Sequence, residues 1–428
     1  MKVVFALPRP EPRIVLTLYF RTIILSTSRI AARMRRIKPS PTSAAQDRTA
    51  QLKREGRDIV NLVVGEPDFD TPAPIRQAAC AAIERGETRY TQTAGTMALR
   101  EAISAKFARE NDLDFAPDNI VVTCGAKHAI FNTLAVTLEP GDEVIIPAPY
   151  WVSYPDMTLA NDGTPVPVVC LEEDDFCLTP EVLESAITPR TRWLILNSPC
   201  NPTGAAYSRE RLAGLAKVLL KFPQVLIMTD DIYEHIRFDG EQTPHLLSVE
   251  PALRDRTVVI NGVSKTYAMT GWRIGYAAGP EDIIGALDKL QSQSTSNPSS
   301  VSQAAALAAL TQPADFLPEW VATYRQRRDR GLALINAIPG LSCRTPGGAF
   351  YLYVNCGGLI GKKTPQGSLL ATDMDVVMYL LEQANVAVVA GTSYGVSPYL
   401  RMSIATSQAN IEKACERMHA ALSQCTSA

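Results

Sequence analysis

Gly262-Val263-Ser264-Lys265-Thr266-Tyr267-Ala268-Met269-Thr270-Gly271-Trp272-Arg273-Ile274-Gly275 is the stretch that decides how this chain reads. It follows an apolar run, residues 257–261, in which Val258, Val259 and Ile260 have the character of a strand buried on both faces. A lysine directly after such a strand, in small and apolar company, is poorly solvated. Burial favours its neutral amine, and only a neutral amine attacks an aldehyde. Arg273 then adds a permanent cation suited to a phosphate. A lone lysine at a strand end is usually an ordinary loop residue; the information lies in the whole pattern.

Upstream, residues 120–123, 143–146, 192–196 and 225–229 repeat the same signal: short runs rich in Val, Ile or Leu, each closed by a polar or small residue. Longer helical stretches separate them, which predicts an α/β domain around a mostly parallel sheet. Ligands of such sheets gather at the carboxyl ends of the strands, so the residues just after each run are the candidates for chemistry. Thr123-Cys124-Gly125-Ala126-Lys127 opens a helix near His128 and offers backbone N–H groups and a positive helix end to an anion. Asn197-Ser198-Pro199-Cys200-Asn201-Pro202-Thr203-Gly204 forms a turn after another strand. Thr229-Asp230-Asp231-Ile232-Tyr233-Glu234 follows the next.

Composition narrows the function further. The 428 residues carry 42 Lys and Arg against 44 Asp and Glu, so no global basic field invites nucleic acid or an anionic membrane. With 46% apolar and 20% charged residues, a large core is expected rather than disorder. Nine cysteines are too few for a disulfide-framed secreted scaffold, and no Cys-x-x-Cys pair occurs. The four histidines, His128, His235, His245 and His419, show no ligand spacing, so no metal is expected. These features predict a soluble, cytoplasmic enzyme.

Residues 1–28 differ in texture: Lys2, Arg9, Arg13 and Arg21 face the single acid Glu11, and Arg21 interrupts an apolar run too short to span a bilayer. They read as an extension or a mis-called start, with Met34 an alternative initiator, ahead of a targeting peptide. A connection at residues 312–318 precedes a charged helix over 321–338, an alternating strand over 347–354 and another strand over 386–389. The expected organisation is a large domain at 61–318 and a smaller α+β domain made of 29–60 with 319–428.

Taken together, the motifs resemble the class I pyridoxal-phosphate aminotransferases, of fold type I, the aspartate aminotransferase fold, from about Ile30 to the C-terminus. The opening stretch is similar to the family's lysine signature, residues 201–204 to its N-P-T-G turn and residues 230–233 to its D-x-x-Y. The resemblance implies that Lys265 bonds the pyridoxal 5'-phosphate aldehyde and later moves a proton to and from the substrate Cα. It implies that Asp230 holds a proton on the pyridine nitrogen, which makes the ring an electron sink. Tyr233 and Asn201 would reach the phenolic oxygen, and Gly125, Ala126, Ser264 and Arg273 would cradle the phosphate. Trp151, in Pro149-Tyr150-Trp151-Val152-Ser153-Tyr154, matches the aromatic that stacks on the ring. Tyr90 matches the tyrosine that reaches the phosphate of the neighbouring subunit, which implies a homodimer with shared active sites. Arg401 corresponds to the arginine that grips the substrate α-carboxylate bidentately, with Gly65 lining the same cleft. Asp231 is read as a solvated or helix-capping acid.

One departure bears on the substrate. Many aspartate aminotransferases place a partner-subunit arginine shortly before a Ser-Asn-Pro to hold the distal carboxylate. Here Ser296-Asn297-Pro298 follows Gln291-Ser292-Gln293-Ser294-Thr295, which contains no cation. Lys127 is the replacement candidate, and with Ile37-Lys38-Pro39-Ser40-Pro41-Thr42 it resembles the bacterial and plant branch that uses aspartate and often prephenate. The expected reaction is transamination between a dicarboxylic amino acid and a 2-oxo acid. The alternatives are an aromatic, alanine or specialised biosynthetic aminotransferase, or a C–S lyase or cyclase on the same fold. A cofactor-bound regulator would need a DNA-binding segment that the short N-terminal extension does not supply.

Overall fold

Neighbouring residues of the central strands point into two different cores. Ile120 and Val122 pack in one apolar cluster and Val121 in another; the same division separates Ile145 from Val144 and Ile146, and Leu194 from Trp193 and Ile195. Side chains alternate across a strand, so an unbroken apolar run needs cover on both faces. The computed structural model, which describes residues 29–427, supplies that cover with helices. The expectations for residues 1–28 lie outside the described residues.

Strand β1 (Val60–Asn61) stands apart from the main sheet, which contains β2 (Ile120–Thr123), β3 (Glu143–Ala148), β4 (Thr164–Val169), β5 (Thr191–Asn197), β6 (Leu226–Asp230), β7 (Thr257–Gly262) and β8 (Gly275–Ala278). Their order is β2-β8-β7-β6-β5-β3-β4. All neighbours run parallel except β8, which is antiparallel to both β2 and β7. Two of these strands lie outside the sequence expectation. Strand β4 carries Pro165 and Pro167, which argue against a central strand but are tolerated at this edge position. Strand β8 sits directly behind the lysine stretch and is only four residues long. Because β2 and β7 flank β8 on either side, their carboxyl ends lie at the same edge of the sheet as those of β3, β5 and β6.

Helices α1 (Pro41–Arg54), α2 (Ala73–Glu84), α3 (Met97–Asn111) and α4 (Ala126–Thr137) precede or follow the first strands. The C-terminal part builds β9 (Ser342–Cys343), β10 (Tyr351–Asn355), β11 (Lys362–Lys363), β12 (Val386–Ala387), β13 (Val389–Ala390), β14 (Tyr399–Ser403) and β15 (Thr426–Ser427). An antiparallel sheet of order β13-β14-β10-β9 is joined by the parallel pair β1–β12 and the pair β11–β15. Leu332, Ile335, Leu352, Val376, Ile411 and Met418 share a separate apolar cluster.

Here the sequence reading needs correction at three points. The charged helix runs Leu317–Ile335, starting earlier because Pro318 falls in its first turn, where a missing N–H costs nothing. Residues 386–389 form two short strands in different sheets, β12 beside β1 and β13 beside β14. Strand β10 is not half-exposed: Tyr351, Leu352, Tyr353 and Val354 are all buried. Among the described residues, no helix is long and apolar enough to cross a membrane.

Candidate active site

The carboxyl ends of the central strands open on a cavity of about 400 Å³, closed on its other side by α1 and by Arg401 of β14. Strand β7 delivers Ser264 and Lys265, β6 delivers Asp230 and Tyr233, and the β5 turn delivers Asn201, all lining the cavity. Ala126 and Lys127 reach it from the first turn of α4, and Trp151 from the segment after β3. Gly125 precedes α4 at φ 90°, a conformation open to glycine, and a Cβ there would run into the Arg273 guanidinium. Gly275 is equally constrained, since its Cβ would meet the backbone of Gly125 and Ala126. Arg273 is fixed by donating from Nη1 to the Thr270 carbonyl at 2.7 Å and from Nη2 to that of Cys124 at 3.3 Å. The helix start and the guanidinium thus share one corner.

Lys265 is half-buried, and its Nζ donates to the Gly65 carbonyl at 2.6 Å. Burial lowers its pKa from 10.5 to about 8; nearby Glu66 opposes the shift, while Arg273 and Arg401 add to it. Asp230 moves the other way, from 3.8 to about 6, chiefly through burial, with the Tyr154 hydrogen bond opposing and the Asp231 charge assisting. Tyr154 Oη donates to Asp230 Oδ2 at 2.6 Å. Tyr233 and Tyr351 join hydroxyls at 2.8 Å, and burial keeps the Tyr233 phenol protonated.

Arg401 is 2% exposed. Its Nη1 donates to Asn201 Oδ1 at 3.0 Å and its Nη2 to the Val63 carbonyl at 2.6 Å. Its Nε is buried with no hydrogen-bond partner among the described residues, and its guanidinium lies 4.5 Å from the Tyr351 ring centroid. Lys127 holds its ammonium 4.8 Å from the Trp151 ring centroid, and burial, then Arg273, lower its pKa. Ser40, Thr42 and Ser43 at the start of α1 line the same cavity. Lys38 is not among the lining residues; its backbone N–H donates to Asp156 Oδ1 at 3.0 Å.

Of the residues singled out in the sequence, Gly65, Ala126, Lys127, Trp151, Asn201, Asp230, Tyr233, Ser264, Lys265, Arg273 and Arg401 line this one cavity, with Gly125 immediately behind it. Tyr90 does not. It is 90% exposed and borders a separate surface groove with Arg89 and Gln303. Asp231 corrects the expectation of a solvated or capping acid: it is buried, accepting from Thr229 Oγ1 at 3.0 Å and lying 3.1 Å from His245 Nε2. Strand β6 ends inside the sheet, so both consecutive carboxylates stay under cover. The sequence reading also passed over Tyr154, Tyr351, Glu66 and Thr270. Tyr154 carried a signal, since it stands three residues after Trp151, the spacing of neighbours on a helical turn. Among the described residues, Glu110, Glu234 and His235 cluster closely enough to hold a cation, but the Lys106 ammonium pairs with both carboxylates and already supplies the positive charge.

Comparison with known proteins matches this geometry. The profile of the aminotransferase class I and II family matches residues 57–418. The chain is 53% identical over 374 residues to an aspartate aminotransferase of Rhizobium meliloti (strain 1021), covering 87% of this chain and 91% of the relative. It is 51% identical over 385 residues to an aspartate/prephenate aminotransferase of Cereibacter sphaeroides, covering 90% and 96%. A crystal structure of the aspartate aminotransferase from Rhizobium meliloti superposes with a TM-score of 0.91 at 50% identity, covering 93% of this chain and 100% of that one. The Thermus thermophilus aspartate aminotransferase with maleate gives 0.86 at 41% identity, covering 92% and 99%. On fold, motifs and likeness alike, the chain belongs to the class I and II aminotransferases.

Proposed function

We propose that this chain is a pyridoxal-phosphate-dependent aminotransferase that takes its amino group from a dicarboxylic amino acid, aspartate foremost, and passes it to a 2-oxo acid such as 2-oxoglutarate. Prephenate is a further acceptor to be tested, given the likeness to the aspartate/prephenate aminotransferase of Cereibacter sphaeroides. One observation carries the reading: a single cavity gathers a desolvated amine at Lys265, a buried carboxylate at Asp230 and two arginines in different corners. No single-motif coincidence yields that set.

The residues fit the cofactor. The corner formed by Gly125, the start of α4 and Arg273 has no room for a Cβ and points helix N–H groups and a guanidinium the same way, as a phosphate requires. Asp230 is a buried carboxylate whose one hydrogen-bonding side chain among the described residues is a phenol, and a protonated ring nitrogen would supply the missing cation. When bound, the cofactor supplies an aldehyde for the amino group and a ring that accepts the electrons released at Cα. The chain's own residues do the rest. Arg401 would grip the α-carboxylate, for which its unpartnered Nε is the free donor. Lys265, with its lowered pKa, would take the Cα proton and return it. Tyr233, held as a phenol, and Asn201 would donate to the phenolic oxygen. Trp151 would cover the ring and exclude water, and Lys127 above it would meet the distal carboxylate.

The same reading takes residues 61–318 as the cofactor-binding domain and 29–60 with 319–428 as the smaller one, supported by the β1–β12 pairing and the separate apolar cluster. The exposure of Tyr90 supports a homodimer in which that hydroxyl serves the partner's phosphate. A reducing compartment such as the cytoplasm suits the nine unpaired cysteines.

The test is spectroscopic. Purified protein loaded with the cofactor should lose its cofactor–lysine absorbance on adding aspartate and regain it with 2-oxoglutarate. Release of pyruvate or ammonia would mark a lyase instead, and absence of a borohydride-trapped adduct at Lys265 would refute the reading altogether. Lys127→Ala should raise KM for aspartate roughly 10- to 100-fold, the worth of a charge-assisted hydrogen bond, and leave KM for alanine nearly unchanged. Equal effects on both donors would remove Lys127 from the distal-carboxylate role.

A further inference from the structure

The loop that carries Lys265 is braced from behind by side chains that do not reach the cavity. At its start, Asn261 Oδ1 accepts from the Gly262 N–H at 2.7 Å, while Asn261 Nδ2 donates to Glu234 Oε1 at 2.6 Å. Glu234 is anchored to α3 by an ion pair with Lys106 and by Asn111 Nδ2 at 2.7 Å. One residue beyond the lysine, Thr266 Oγ1 lies 3.0 Å from His235 Nδ1, and His235 Nε2 lies 3.0 Å from Glu110 Oε2. At the far end, Thr71 Oγ1 donates to the Ala268 carbonyl at 2.7 Å and takes the Trp272 indole N–H at 3.0 Å.

The chain Glu110–His235–Thr266 has the acid–imidazole–hydroxyl order of a nucleophilic triad. Thr266, however, is 3% exposed, so no substrate carbonyl reaches its hydroxyl. An ionised carboxylate only accepts, so the imidazole Nε2–H points to Glu110, and Nδ1 meets the Thr266 hydroxyl, which can accept or donate. That pairing holds the Thr266 side chain, and with it the backbone adjoining Lys265.

We propose that His235 is a positioning residue: through Thr266 it sets the direction in which the Lys265 amine enters the cavity, with Glu234 and Asn261 fixing the other side of the same turn. The role rests on the reading of Lys265 given above. A displacement of about 1 Å at a reacting group costs up to about a hundredfold in rate, so a brace at the adjoining residue has leverage on turnover with little on substrate affinity.

Thr266→Val, which keeps the shape and removes the hydroxyl, and His235→Ala should each lower kcat roughly 10- to 100-fold with KM for aspartate little changed. Thr266→Ser should stay near wild type, and the Thr266→Val/His235→Ala double variant should lose no more than either single one. A second readout uses the cofactor-free protein. Competitive acetylation read by mass spectrometry gives the titration midpoint of the Lys265 amine, which should rise toward an ordinary lysine as the loosened turn admits water. This labelling tests the brace even where turnover is absent, so failure of the proposed activity and failure of the brace are told apart. Wild-type kcat together with an unshifted labelling midpoint in Thr266→Val would overturn the proposal. So would a Thr266→Ser variant as impaired as Thr266→Val.

Discussion

Asp230, the last residue of β6, and Glu234, four residues on, are both buried, yet their acidities diverge in opposite directions. Glu234 faces α3. Burial alone would raise its pKa, but the Lys106 and His235 charges and the hydrogen bonds from Lys106 and Asn111 prevail and bring it from 4.5 to about 2. Asp230 faces the cavity, where the Tyr154 hydroxyl and the more distant Ile232 N–H donate to it, and burial wins, carrying it from 3.8 to about 6. The difference separates a closed network from an open one. Where a buried acid meets a cation and two amides, it holds the fold together; where one side is left for a visitor, it serves chemistry.

The contrast can be broken from either end. The largest effect should come from Lys106→Met, which strands the Glu234 carboxylate and should cost about 3–5 kcal/mol of unfolding free energy in urea titration. Glu234 contributes stability above pH 4.5 that is lost as pH falls through about 2, so acid should narrow the gap between this variant and wild type. A Lys106→Met/Glu234→Gln pair should recover much of the loss.

Asp230→Asn should act conversely. Turnover should fall roughly 10²- to 10³-fold, as for removal of one preorganised electrostatic group. The cofactor-free protein should be no less stable at neutral pH, because a raised carboxyl pKa contributes stability below pH 3.8 that is lost as pH rises through about 6. Loss of stability matching that of Lys106→Met would erase the distinction drawn here. Tyr154→Phe should give the smallest change, about tenfold in kcat, with the pH–rate profile displaced because the donor that opposes the Asp230 shift is gone. An unchanged profile would show that Tyr154 only fills space.

Much of this was legible in the sequence because buried parallel strands announce themselves as apolar runs, and β2 matches residue for residue. Strand β4 was hidden by its two prolines, and β12 and β13 by being too short to show a period. The cavity residues were legible wherever a motif surrounds them, as with Lys265, Asn201 and Tyr233. The polar groups behind them were not. His245 meets Asp231 only because the chain after β6 folds back on itself, and Glu110 meets His235 only because distant segments cross there; nothing in the local pattern of either histidine records its partner. Asp231 was misjudged for that reason: next to Asp230 in a loop motif, its charge pointed to water until the fold closed over it.

The placement of β8 between β2 and β7 has a consequence for biogenesis. The Cys124 carbonyl and the Arg273 guanidinium meet across 149 positions of chain, and Gly275 must slot against the Gly125 backbone before that corner exists. Distant pairings of this kind come late in folding, because the intervening chain must first be ordered. A growing polypeptide therefore has no finished anion corner until β8, the last strand of the main sheet, inserts, and uptake of the proposed cofactor's colour during refolding would time the moment at which that sheet is complete.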